Sequence, residues 1–176
     1  MSGSFPKGLP ADTYVRLIKL VRSQGKPCIL DTSGATLKAS IDACPSMVKP
    51  NTDEIGQILG RTVSSVDEVF EAARELHERG IAQVVVSLGG DGAVMACNAG
   101  TFHGIAPKIE VVNPVGAGDT MVGAFAVAMA RGLEPAEQLR YAMACASANC
   151  MSASTGHFDM EVARGLMDAT RVERVA

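Results

Sequence analysis

The chain has 176 residues, with 16 Lys and Arg against 19 Asp and Glu, a net charge of -3 and 47% apolar residues, which suits one soluble domain with a substantial core. That balance argues against a nucleic-acid backbone or an anionic membrane as the main partner, because both demand clustered basic residues and no such patch is found on reading. No apolar run approaches the ~20 residues that span a bilayer, and Met1-Ser2-Gly3-Ser4-Phe5-Pro6 lacks the regions of a secretory signal, so the expectation is a cytoplasmic protein.

Pro6, Gly8 and Pro10 make the opening irregular, and Asp12 can cap a helix with apolar positions Val15, Leu17, Ile18, Leu20 and Val21 that ends near Gly25. Pro27 to Asp31 reads as a buried strand, Thr32-Ser33-Gly34 turns into a short helix, and Ser46 to Lys49 is a second strand closed by Pro50. A short helix over Asn51 to Ile58 follows, then a longer one over Ser65 to Arg79 with a Ser65/Glu68 capping box and a terminating Gly80. Ile81 to Ser87 is a strand covered on both faces by virtue of Val84-Val85-Val86, and Asn98-Ala99-Gly100 joins Ala93 to Cys97 and Thr101 to Ile105 as a hairpin. Helices are expected from Asp119 to Arg131, from Pro135 onward, and over Met160 to Met167. Strands alternating with helices imply a largely parallel sheet between helical layers, with a small antiparallel excursion. The five cysteines, Cys28, Cys44, Cys97, Cys145 and Cys150, are scattered without a Cys-x-x-Cys pair and read as small buried thiols rather than metal ligands.

The most informative stretch runs from Glu110 to Phe125, where a short apolar run broken at Pro114 leads through Gly116-Ala117-Gly118 into a helix starting at Asp119. The pattern predicts a strand, a glycine loop and a helix N-terminus, whose unpaired amides and dipole attract an anion. A fixed carboxylate there would repel a resting phosphate, so Asp119 fits a transient role: taking a proton from a substrate hydroxyl as negative charge passes. A dinucleotide fingerprint would need glycine where Met121 stands, and no Gly-Lys-Ser or Gly-Lys-Thr loop exists in the chain. The plainer explanation is that Asp119 is a helix-start residue.

Asn113-Pro114-Val115-Gly116-Ala117-Gly118-Asp119-Thr120 followed by Gly123-Ala124-Phe125 resembles the C-terminal motif of the PfkB (ribokinase-like) carbohydrate kinases. The resemblance implies a three-layer ribokinase-like α/β sandwich, mostly parallel, in which Asp119 is the general base touching the sugar hydroxyl. It further implies that the amides of Gly116, Ala117 and Gly118 form the anion hole for the transferring phosphoryl. Asn51-x-x-Glu54 is similar to the family's magnesium and phosphate motif, acting through water, although these two residues also suffice as a helix capping box. Ser87-Leu88-Gly89-Gly90-Asp91-Gly92 corresponds to the loop that covers the nucleotide, against a plain glycine turn as the local explanation. Met143, Ala146, Ala148 and Asn149 fall where the adenine pocket is built, and ordinary core is the alternative for each. His157, with no paired base or nucleophile, reads as a surface or capping residue.

Ser2-Gly3-Ser4-Phe5-Pro6-Lys7-Gly8 looks like a segment of the phosphosugar branch, with Phe5 for the usual leucine, and it makes Ser4 a substrate contact. The resemblance therefore implies ATP and Mg2+ as cofactors and a phosphorylated ketohexose, fructose 1-phosphate or tagatose 6-phosphate, as acceptor. It covers residues 1–176 as the C-terminal, nucleotide-binding part of such a kinase, without the family's N-terminal strands and lid. A sheet cut at that point would expose an unpaired edge and call for a second copy or a complementary N-terminal chain. The rival expectation is a non-catalytic nucleotide-binding remnant.

Overall fold

A computed structural model describes residues 1–6 and 8–176. Among them the elements in chain order are α1 Thr13–Ser23, β1 Ile29–Leu30, α2 Gly34–Ile41, β2 Met47–Val48, α3 Thr52–Leu59, α4 Val66–Glu78, β3 Gln83–Ser87, a 3-10 turn Gly89–Asp91, β4 Gly92–Cys97, β5 Gly100–Ile105, α5 Ala117–Ala130, α6 Pro135–Cys150, α7 Met160–Ala169 and β6 Arg171–Arg174. The strands lie in the order β1-β2-β3-β4-β5-β6 in a single mixed sheet. β1, β2 and β3 pair in parallel, whereas β5 and β6 are antiparallel. The links from β3 to β4 and from β4 to β5 are too short for a parallel crossover, so the antiparallel excursion expected from the sequence lies here. The chain divides into two compact units, residues 1–87 with 94–101 and residues 88–93 with 102–176.

In the first unit the parallel strands are short and buried, and Val84, Val85 and Val86 of β3 have no exposed surface. α4 packs on β3, and its start is held by the expected box: Ser65 accepts from the Glu68 amide while Glu68 takes the Ser65 amide. α1 turns Tyr14 and Ile18 inward, and the expected apolar positions Leu17 and Leu20 are instead exposed. Positions 14 and 18 share one helical face, and the Tyr14 hydroxyl donates to the carbonyls of Ser2 and Gly3, which fixes that face inward. The edge of β1 is likewise not bare. Asp31 N–H donates to Met1 O at 2.9 Å and Gly3 N–H to Asp31 O at 2.9 Å, so Met1 to Gly3 run parallel beside it.

In the second unit α5 packs on α6 and α6 on α7. Ala142, Ala144, Cys145, Ala146 and Ala148 are buried, and their small side chains let the helix axes approach over the fully enclosed Phe125. The strand expected near Glu110 to Val112 does not form. The amides of Val112 and Asn113 both donate to Cys150 O, at 2.8 and 3.0 Å, so this segment's hydrogen bonds go to the end of α6 instead of a ladder. α5 begins at Ala117 rather than Asp119. β6 carries no strand signal in its charged sequence Arg171-Val172-Glu173-Arg174 and is held by pairing with β5.

Candidate active site

The carboxyl ends of β1, β2 and β3 gather four polar residues of the first unit, Asp31, Lys49, Asn51 and Ser87. Ser87 N–H donates to Pro50 O at 3.0 Å, and Ser87 bridges Asn51 in parallel, so two of the residues expected to meet nucleotide are direct neighbours. Asn51 caps α3: its Oδ1 accepts the Glu54 amide at 2.8 Å, and Glu54 Oε2 accepts the Asn51 amide at 2.9 Å. The local explanation for this pair is thus realised in the fold. Beside them the buried Lys49 ammonium lies 3.3 Å from Asp31 Oδ1. A cation this enclosed needs a partner. Lys49 was not singled out from the sequence, and its signal was a lone lysine closing an apolar strand.

A divalent ion fits this end only indirectly. Among the described residues no group of three or more His, Cys, Asp or Glu gathers to hold a metal. The cap engages Asn51 Oδ1 and Glu54 Oε2, leaving one carboxylate oxygen outside it. That donor set suits a magnesium that keeps its water and takes its other ligands from phosphates. A cleft of about 540 Å³ opens along α3, lined by Thr52, Asp53, Gly56, Gln57 and Arg61 among others, and contains neither Asn51 nor Glu54. Ser4 is exposed ahead of α1, next to Phe5, whose ring centroid lies 4.2 Å from that of Tyr14. Lys7 of the same motif lies outside the described residues.

In the second unit, Leu88 to Gly92 form a closed turn in which Leu88 N–H donates to Gly92 O at 2.9 Å. Gly90 and Asp91 at its tip are exposed, and Gly89 has φ 63°. Gly92, at φ 117°, admits no side chain, because a Cβ there would overlap the Gly104 carbonyl oxygen. Gly104 in turn faces Met143, whose sulfur occupies the space a Cβ would need. Met143 is buried, as expected for a core residue of α6.

Gly116 precedes α5 at φ 82°, the left-handed region, and no side chain caps the helix. The Ala117 amide turns back to Pro114 O at 3.2 Å, and Asp119 presents an exposed carboxylate in the first turn. The loop before it is pinned from one side. Asn113 Oδ1 accepts the Val115 amide at 3.0 Å, and its Nδ2 donates to Ala153 O and Thr155 Oγ1 at 3.2 and 3.4 Å. A Cβ on Gly116 would come within 2.7 Å of Thr155 Cγ2. An open helix start with a glycine-bounded approach and a carboxylate can bind an oxyanion and accept a proton beside it.

Comparison with known proteins addresses this chemistry. The family model described as pfkB family carbohydrate kinase matches residues 1–162. Phosphofructokinase-2 from Escherichia coli, solved with potassium, superposes with a TM-score of 0.90 at 31% identity, covering 95% of this chain and 55% of that one. A candidate phosphofructokinase from Staphylococcus aureus gives 0.90 at 27% identity, covering 98% and 56%. A candidate 1-phosphofructokinase from Thermotoga maritima, at 24% identity and TM-score 0.87, shares the fold. The chain therefore spans about half the length of the solved structures it matches.

Proposed function

Because the chain belongs to the pfkB family of carbohydrate kinases, we propose that it carries the phosphoryl-transfer machinery of a sugar-phosphate kinase using ATP and Mg2+. The reaction is transfer of the γ-phosphoryl of ATP to a hydroxyl of a phosphorylated ketohexose, fructose 1-phosphate or tagatose 6-phosphate, giving the bisphosphate and ADP. The hydroxyl oxygen bonds to the γ-phosphorus, the bond to the bridging oxygen of ADP breaks, and the hydroxyl proton passes to Asp119. The amides of Gly116 and Gly118, with that of Ala117 shared with Pro114 O, steady the charge on the moving phosphoryl. Asn51 and Glu54 orient the water around magnesium, which neutralises the phosphates when bound. The segment Ser87 to Gly92 lies over the nucleotide, Met143 backs the adenine pocket, and Ser4 touches the sugar. Lys49 adds a fixed positive charge at the carboxyl end of β2.

The observation that carries this reading is the exposed carboxylate of Asp119 in the first turn of a helix whose start has no side-chain cap and is opened by a left-handed glycine. Such a reaction belongs in the cytoplasm, where ATP is supplied, and among the described residues no helix is long and apolar enough to cross a membrane. Partners beyond ATP and sugar phosphate are a second copy or a complementary N-terminal chain; a tetrameric form is recorded for the Escherichia coli neighbour. A second reading, a nucleotide-binding remnant without turnover, is favoured by the helix cap that already engages Asn51 and Glu54.

Calorimetric titration with MgATP, run beside coupled ADP release, separates the two. Acceptors are fructose 1-phosphate, tagatose 6-phosphate and fructose 6-phosphate, the last being the ligand solved with the Escherichia coli neighbour. Turnover with either of the first two supports the kinase reading, binding without turnover supports the remnant, and absence of binding removes both.

A further inference from the structure

The approach to α5 has no strand behind it, so its shape must be held by something other than a ladder. We infer that Asn149 is a positioning residue for the phosphoryl site, aiming the Gly116 amide by pinning the carbonyl at the other end of the same peptide; this rests on the proposed role of the α5 start. Asn149 lies within α6 among alanine, cysteine and serine and has no exposed surface. A carboxamide enclosed among small side chains is costly unless both its ends are bonded. Both are. Nδ2 donates to Val115 O at 3.0 Å, and Oδ1 accepts the Gly156 amide at 2.8 Å.

The peptide between Val115 and Gly116 is planar, with its C=O and N–H pointing in opposite directions. Holding the Val115 carbonyl toward α6 therefore turns the Gly116 N–H away from α6. Glycine at φ 82° leaves that peptide soft, so an external bond is what selects one orientation. The space is closed as well, since a Cβ on Gly116 would meet Thr155 Cγ2 at 2.7 Å and lie 3.8 Å from Asn149 Oδ1. Asn113 reinforces the approach from outside through Ala153 and Thr155, but it bonds the Val115 amide and leaves the Val115 carbonyl to Asn149.

The test uses the 15N-labelled full chain with Asn149→Leu, which removes both bonds, and Asn149→Asp, which keeps shape and the oxygen facing Gly156. In the ligand-free protein the Gly116 amide resonance should move in both variants, and Gly156 exchange should rise at least tenfold in Asn149→Leu but not in Asn149→Asp. On titration with magnesium and a nonhydrolysable ATP analogue, the shift that the parent shows at Gly116 should shrink at least threefold in both. Should Asn149→Leu not fold, Asn149→Asp is read alone. An unmoved Gly116 resonance in the folded ligand-free variants overturns the inference, as does a full ligand response in them. A parent chain that shows no response to the analogue at Gly116 to Asp119 instead overturns the proposed function, while the ligand-free spectra still decide whether Asn149 holds the peptide.

Discussion

In the proposed reaction the proton passes to one carboxylate, that of Asp119, and Asp119→Asn keeps its shape and its place in the first turn of α5. Turnover should fall about 10²–10⁴-fold, the range for loss of a general base, with MgATP affinity within about twofold of the parent on calorimetry. Equal turnover would remove Asp119 from proton transfer. A second single-residue effect is steric. Gly104→Ala drives a methyl into the Met143 sulfur. Overpacking of this kind costs about 1–3 kcal/mol, to be read from the urea midpoint at unchanged slope, and Gly104→Ala with Met143→Ala should recover part of it. Residue type alone reaches a limited way: Asp119 after Gly-x-Gly is as well explained as a helix-start residue, and Gly104 looks like any strand glycine until Met143 is seen against it.

Helix starts give the next set of outcomes. At α3 the cap and the proposed magnesium role share the same two side chains, and Glu54→Gln separates them. Glutamine can serve the capping box as glutamate does, so thermal stability should stay close to the parent while the magnesium dependence of ATP binding weakens. Asn51→Ala should instead cost about 1 kcal/mol of stability. At α4, backbone amides of Ser64 and Ser65, with the Ser64 hydroxyl, hold the Glu68 carboxyl below its ordinary range. A depressed folded-state value means the stabilisation is present above the ordinary carboxylate range and is lost as pH falls through the folded value. The stability difference between parent and Glu68→Ala should thus be present at neutral pH and vanish in acid, as read by denaturation at a series of pH values.

For the molecule as a whole, the enclosed thiols report on integrity. Burial pushes Cys28, Cys145 and Cys150 above the ordinary thiol range. Thiolate is the reactive form, so Cys28 and Cys145 should resist alkylation at pH 8 until the chain unfolds. Early labelling of both would show that the cores of the units open locally. The relation to the solved neighbours is also a property of the whole chain: it matches a family across residues 1–162 yet spans about half of each neighbour's length.

Local signals in the chain were enough for much of this. The capping boxes at Asn51 and Ser65, the buried valines of β3 and the glycine-bounded start of α5 follow from short-range rules, since a cap or a period needs only residues a few positions apart. Packing decided the rest. Whether the run at Val111 and Val112 makes a strand depended on Cys150 at the end of a distant helix taking the amides of Val112 and Asn113, and whether Arg171 to Arg174 make one depended on β5 offering an edge. Lys49 became notable only once Asp31 was brought beside it, and Asn149 only once its two ends met Val115 and Gly156. Partners of that kind lie 18 and 34 residues away along the chain in the cases of Asp31 and Val115, and no local pattern encodes which backbone group a buried polar side chain will find.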